Sequence, residues 1–132
     1  MMRIDIVHPL ARVGNTGNRT TALRLARMLG PHHAVRVRPR WRHGHSDVLI
    51  ALHALRSQAS IAAWKRAHPR GRLIVVLTGT DIYGAGAADA RTQASLEHAW
   101  RIVALQADAA ARVPADLQAN TRVILQSAVL PP

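Results

Sequence analysis

Cysteine is absent from the 132 residues. That excludes disulfides, thiolate metal sites and cysteine nucleophiles outright. Phenylalanine is also absent, and Lys65 is the only lysine. No apolar run approaches the ~18 residues of a membrane span, so none is expected. Acids are scarce: 7 Asp and Glu face 18 Lys and Arg, a formal charge of +11. Such a charge invites a nucleic-acid partner. Two features argue against one. The bases are almost all arginine in an alanine-rich chain, which is the residue choice of a GC-rich coding sequence. The arginines are also spread along the chain rather than gathered in a block. The densest group, Arg36, Arg38, Arg40 and Arg42, reads as a solvated strand face and its exit loop. A phosphorylated small molecule stays open as a partner, because the arginine fork matches phosphate geometry.

What is present favours a folded domain. Apolar residues make up 48% of the chain, enough for a core. The start, from Met1 to Val7, carries Asp5 inside a short apolar run, which suits a first strand better than a secretory leader. A cytoplasmic location fits, with no organic cofactor expected.

Helical and alternating periods follow one another along the chain. Arg3 to His8 reads as a strand closed by Pro9. A glycine-containing loop, 11–17, leads to a helix over Asn18 to Leu29, stopped by Gly30 and Pro31. Ala34 to Arg38 alternates as a second strand. Trp41 to Ser46 is a polar loop, and Asp47 to Leu52 a continuous apolar strand. Ser57 can cap a helix running to His68. Arg72 to Leu77 is the next apolar strand. The small residues 85–90 read as a mobile loop. A helix over Arg91 to Ala99, a strand over Arg101 to Leu105, a short helix over Ala107 to Val113 and a strand over Thr121 to Gln126 follow. Alternation of strands and helices implies right-handed crossovers and a parallel sheet. Continuous apolar strands imply a sheet covered on both faces. The expected fold class is therefore α/β, a Rossmann-like parallel sheet with helices on both faces, filling residues 1–128.

Ligands of such sheets bind outside the carboxyl ends of the strands. Three segments qualify. Gly14 to Thr21 opens the first helix; Gly17 and Asn18 allow close backbone approach, the helix start offers free N–H groups, and Arg19 adds a fork. This segment matches neither the dinucleotide fingerprint nor a P-loop. Leu52 to Ser57 leaves the third strand. There His53 could relay a proton and Arg56 hold an anion, with Ser57 beside them. Thr78, Gly79, Thr80 and Asp81 form a compact polar cluster after the fourth strand, and Asp81 could act as a base or orient a sugar hydroxyl. Each has a plainer reading: a capped helix start, a hydrogen-bonded histidine with a solvated arginine, or a capping Thr80 or Asp81.

Other residues carry less. His43 and His45 look like a metal pair, but no third ligand stands at a recognisable spacing, so no metal is expected. His32 and His33 follow a helix stop and read as solvated. Trp64 and Trp100 sit where helices should pack. Ser57 and Ser95 lack a nucleophile-elbow context, which speaks against a hydrolase.

The order and spacing of Thr16-Gly17-Asn18-Arg19, Leu52-His53-Ala54-Leu55-Arg56-Ser57 and Leu77-Thr78-Gly79-Thr80-Asp81 resemble the selenosugar synthases of selenoneine biosynthesis. These belong with the family-4-like GT-B glycosyltransferases. Val103-Ala104-Leu105-Gln106 and Val123-Ile124-Leu125-Gln126-Ser127-Ala128 extend the resemblance along essentially the whole chain. It implies transfer of a sugar, N-acetylglucosamine from its UDP form, onto the selenium of selenophosphate, with loss of phosphate. Candidate catalytic residues are then His53 and Asp81. Candidate substrate-binding residues are Gly17, Asn18, Arg19, Arg56, Ser57, Thr78, Gly79 and Thr80. A GT-B enzyme holds its UDP-sugar chiefly in a C-terminal domain. Residues 129–132 would begin the linker to it, and without it the chain is expected to be inactive. The competing readings are a stand-alone phosphate- or anion-binding module and a basic nucleic-acid-binding protein.

Overall fold

A computed structural model describes residues 1–10 and 17–125. Six strands and four helices follow one another, alternating except between β2 and β3: β1 (Arg3–Val7), α1 (Gly17–Leu29), β2 (Ala34–Arg38), β3 (Val48–Leu52), α2 (Gln58–Ala67), β4 (Arg72–Leu77), α3 (Ala90–His98), β5 (Arg101–Ala104), α4 (Ala107–Ala111) and β6 (Thr121–Val123). Two short 3-10 helices, Gly84–Ala88 and Ala115–Asn120, fill the connections before α3 and β6. Every pairing is parallel, in the order β2-β1-β3-β4-β5-β6. The chain steps from β1 to β2 on one side, then returns past β1 to β3 and continues outward. The order therefore reverses beside β1, which creates the crevice where doubly wound sheets bind ligands. The fold is a Rossmann-like α/β sheet flanked by helices.

Strand pleating splits the core in two. On one face Val7, Leu49, Ala51, Leu73, Val75, Leu77, Ile102 and Ala104 meet Ile61 and Trp64 of α2, Leu96 of α3 and Ala109 of α4. On the other Ile4, Ile6, Val48, Ile50 and Leu52 meet Ala22 of α1, with Leu25, Ala26 and Leu29 partly buried beside them. All five residues of β3 are buried, as its unbroken apolar run requires. Trp64 is fully buried, and its Nε1–H donates to Ser46 Oγ at 2.9 Å, so the indole's polar atom is satisfied. Truncating a core aromatic of this kind costs about 3–5 kcal/mol.

Several expectations need correction. The stretch 85–90 is not an open loop: Gly84–Ala88 winds as a 3-10 helix and α3 begins at Ala90. Asp89 supplies the α3 cap by accepting from the Arg91 N–H at 2.8 Å. Trp100 is no core residue; it is 41% exposed, with the Arg72 and Arg101 guanidinium groups 4.7 and 4.3 Å from its ring centre. Trp41, from the polar loop, is buried instead. Arg36 and Arg38 do not form a freely solvated face. Asp5 is fully buried, and Arg36 Nε donates to it at 3.1 Å and Arg38 Nη2 at 3.4 Å. A carboxylate inside a sheet needs such partners, and the dispersed arginines supply them. Ser57 stands at the α2 cap position, yet its side chain caps no N–H. Its hydroxyl donates back to the Leu52 carbonyl. The last strand ends at Val123, short of the expected Gln126, with Ile124 and Leu125 already outside it. Gln126 itself, the linker at 129–132 and the loop residues Gly14 to Thr16 lie outside the described residues.

Candidate functional site

The carboxyl ends of β3 and β4 lie side by side, because Leu52 pairs with Val76. The His53 N–H extends that ladder by donating to the Val76 carbonyl at 2.9 Å. The chain then turns sharply. His53 has φ 73°, in the left-handed region that few side chains other than Asn, Asp and His enter. After β4 the turn is made by Gly79 at φ 140°, where no residue with a Cβ sits without strain.

Asp81 fastens the two turns together. Its side chain is fully buried, and three backbone N–H groups donate to it: Ala54 to Oδ2 at 2.9 Å, Gly79 to Oδ1 at 2.9 Å and Thr78 to Oδ1 at 3.1 Å. A carboxylate so enclosed does not meet solvent, and most of its accepting capacity is taken by main-chain N–H groups. Asp81 thus ties the β3 and β4 exits together; of the expected roles (base, holder of a sugar hydroxyl, or cap), its bonds to main-chain N–H groups resemble the capping one most.

His53 is engaged at both ring nitrogens. Nδ1 accepts from the Arg56 backbone N–H at 3.0 Å, and Nε2 lies 2.7 Å from Thr80 Oγ1. Because Nδ1 is an acceptor, the neutral ring carries its proton on Nε2 and donates it to Thr80. The Thr80 hydroxyl then has its own proton free to donate outward. Burial pushes the His53 pKa below the usual 6.5, the Asp81 charge opposes that shift, and the Arg56 charge adds to it. The net effect favours the neutral ring, which is the form this relay of hydrogen bonds requires.

Buried hydroxyls hold the platform from beneath. Ser95 Oγ donates to the Ala54 carbonyl at 2.6 Å, and Thr92 Oγ1 to the Gly86 carbonyl at 2.7 Å. Gly86 lies so close to the Thr80 carbonyl that a Cβ there would overlap it.

Thr80 and Arg56 are exposed on this rim, and Thr78 and Gly79 are half-buried with their N–H groups committed to Asp81. Ser57 is buried and faces the protein interior. Gly17, Asn18 and Arg19 form the first turn of α1, with Gly17 and Arg19 exposed and Asn18 half-buried. Arg19 is near enough to His8, at the end of β1, for its charge to help burial lower the His8 pKa. The candidates from all three segments therefore lie on the carboxyl edge of the sheet, with His53 and Asp81 on adjoining turns.

Sequence reasoning missed a cleft on the same edge. A cavity of about 610 Å³ is lined by Pro9, Leu10, Pro39, Arg40, Trp41, Arg56, Ala59 and Ser60. It spans the exits of β1, β2 and β3, and Arg56, whose backbone N–H donates to His53, lines it. The prolines that close β1 and β2 were the signal for it, since each marks a strand exit. Among the described residues no cluster of three side chains could hold a metal ion. Nor is any helix among them long and apolar enough to cross a membrane. No protein-family model matches the chain, and no curated protein shows significant similarity to it.

Proposed function

We propose that this chain is the acceptor-side domain of a glycosyltransferase resembling the selenosugar synthases, and that its rim holds a phosphorylated acceptor such as selenophosphate. One observation carries the reading. Asp81 and His53 lock the β3 and β4 exits into a single platform, which presents the Thr80 hydroxyl and the Arg56 guanidinium outward. A tetrahedral anion suits those donors, and Arg19 in the first turn of α1 adds a guanidinium to the same carboxyl edge, near His8.

The chemistry asks for little more. Selenium is a soft nucleophile and needs no strong base. Its lone pair forms the bond to the anomeric carbon while the UDP leaves with the electrons of the bond it breaks. Loss of phosphate to water then yields the selenosugar. A rim whose carboxylate and imidazole are both tied up is compatible with this reaction. It suits poorly a reaction that begins with proton abstraction. On this reading a second Rossmann-like domain holds the UDP-sugar, N-acetylglucosamine being the expected sugar.

The same occupied carboxylate and imidazole favour a second reading, an anion-binding module without chemistry. Calorimetric titration with thiophosphate, a stable stand-in for selenophosphate, tests the shared claim. Arg56→Ala should weaken binding about ten- to hundredfold, since charge-assisted bonds contribute roughly 1.5–3 kcal/mol. Arg56→Lys should restore part of the loss. Absence of thiophosphate binding overturns both readings. Consumption of UDP-N-acetylglucosamine when a donor-binding domain is added separates them, and its absence favours the module.

A further inference from the structure

The connections of this sheet fall unequally on its two sides. The step from β1 to β2 puts α1 on one face, and the opposite steps put Trp41, α2, α3 and α4 on the other. Among the described residues α1 is therefore the one helix on its face, packed over β1 and β2. The β4–β5–β6 half of that face carries Val76, which is buried next to β3, and Ile74, Val103 and Leu105, which remain half-buried. The register pairing Thr121 with Ile102 sets Ile124 beside Leu105, and Ile124 is 56% exposed. An all-parallel sheet is as a rule covered on both faces, and the described residues leave this half open.

The lower end of the same half-face is basic. Arg72 pairs with Val48 and Arg101 with Ile74, so both point to the α1 side. Trp100 lies beside them, with both guanidinium groups within 5 Å of its ring centre, and Arg101 Nη1 is fixed to the Trp100 carbonyl at 2.8 Å. The surface thus runs from apolar at the strand ends to cationic at the strand starts.

We propose that this half-face docks an acidic amphipathic helix of a partner polypeptide, laid beside α1. Its apolar stripe would cover Ile74, Val103, Leu105 and Ile124, and its carboxylates would meet Arg72 and Arg101. The dimensions fit: β4 has 6 residues, about 20 Å at ~3.3 Å each, the length of a helix of about 13 residues. The helix α1, which covers the other half, has 13. A second copy of this chain is a poor occupant. It would bring its own Arg72 and Arg101 to a surface of the same sign in a molecule of charge +11.

Fluorescence anisotropy of the full chain with two labelled helical peptides tests this. One has a leucine stripe and glutamate elsewhere; its counterpart replaces every glutamate with lysine. The glutamate peptide should bind and the lysine peptide should not. Leu105→Glu should weaken binding about tenfold or more, and Ile124→Glu serves the same purpose if that variant melts early. The pair Arg72→Glu and Arg101→Glu should invert the preference between peptides, while the same charge change at Arg27 and Arg66 on outer helix surfaces should not. The inference is overturned by equal binding of both peptides, or by equal losses at Arg27 and Arg66. Self-association in sedimentation equilibrium that Leu105→Glu abolishes also overturns it, and assigns the face to a second copy. These outcomes are read with the peptides alone, so they stand or fall separately from thiophosphate binding at the carboxyl edge.

Discussion

Replacing Asp81 separates a structural tie from a chemical group. In Asp81→Ala the N–H groups of buried Ala54 and half-buried Thr78 and Gly79 lose their shared acceptor. A buried donor left unpaired costs about 1–3 kcal/mol, and the three share one acceptor, so a loss of about 3–5 kcal/mol is expected. Asp81→Asn is the sharper change. Its carbonyl can replace Oδ1, which takes two of the N–H groups, but its NH2 then faces the Ala54 N–H donor to donor. The expected loss is about 2–3 kcal/mol, one charge-assisted bond and the repulsion that replaces it. Urea unfolding followed through the buried Trp64 reads both variants. With a slope near 1–3 kcal/mol per molar, Asp81→Ala should move the midpoint down by roughly 2 M at unchanged slope. An Asp81→Asn protein that unfolds within about 0.5 kcal/mol of the parent would refute the tie. If that stable variant also lost sugar transfer in a complete enzyme, Asp81 would be a chemical group after all.

Acid should destabilise the fold through two histidines, because burial lowers the pKa of both His53 and His8. The native state then binds fewer protons than the unfolded chain, so stability is complete above the unfolded value of 6.5 and is lost as pH falls through the folded values. Thermal melts across this window should show a slope that His53→Gln reduces. At φ 73°, His53→Gly should be more stable than His53→Ala by about 1 kcal/mol, although both lose the same side-chain bonds; equal melting temperatures would contradict the strained turn. Gly86→Ala should lower the melting temperature and weaken thiophosphate binding together, because its Cβ displaces the Thr80 carbonyl.

Much of this was legible in the letters, and the reasons are local. Val48 to Leu52 and Arg72 to Leu77 are unbroken apolar runs, and only a doubly covered parallel strand accommodates them. Gly30-Pro31 and Pro69 stop helices wherever they fall. Failure came where distant residues decide. Nothing near Arg36 or Arg38 says that Asp5, in a different strand, is buried beneath them; that follows from the register Asp5↔Arg36 alone. Trp100 looked like a helix-packing residue because it follows α3. It falls instead at the first turn into β5, where Arg72 and Arg101 stack on it. The small residues at 84–88 lack side chains to pack, so local composition suggested a loop. At Gly86, close approach to the Thr80 carbonyl is what the lack of a side chain serves.

The candidate site shows the same division in one place. Position on the rim could be inferred from strand ends, so His53, Arg56, Thr80 and Asp81 were all identified. Roles could not, because a role depends on which atoms are already taken. Ser, Thr, His and Asp are the residue types of catalysis, and equally those that satisfy buried backbone groups where two turns meet. Here Ser57, Ser95, Thr92 and Asp81 all spend their polar atoms on main-chain partners. His53 spends one nitrogen so and the other on Thr80. What is left facing outward is a hydroxyl and a guanidinium, both donors. A surface of donors recognises an anion; it does not take a proton from one. The proposal of a phosphorylated ligand for this rim therefore rests on the Thr80 and Arg56 donors, and on that proposal Arg56 rather than His53 or Asp81 is the residue whose loss should be felt first in binding.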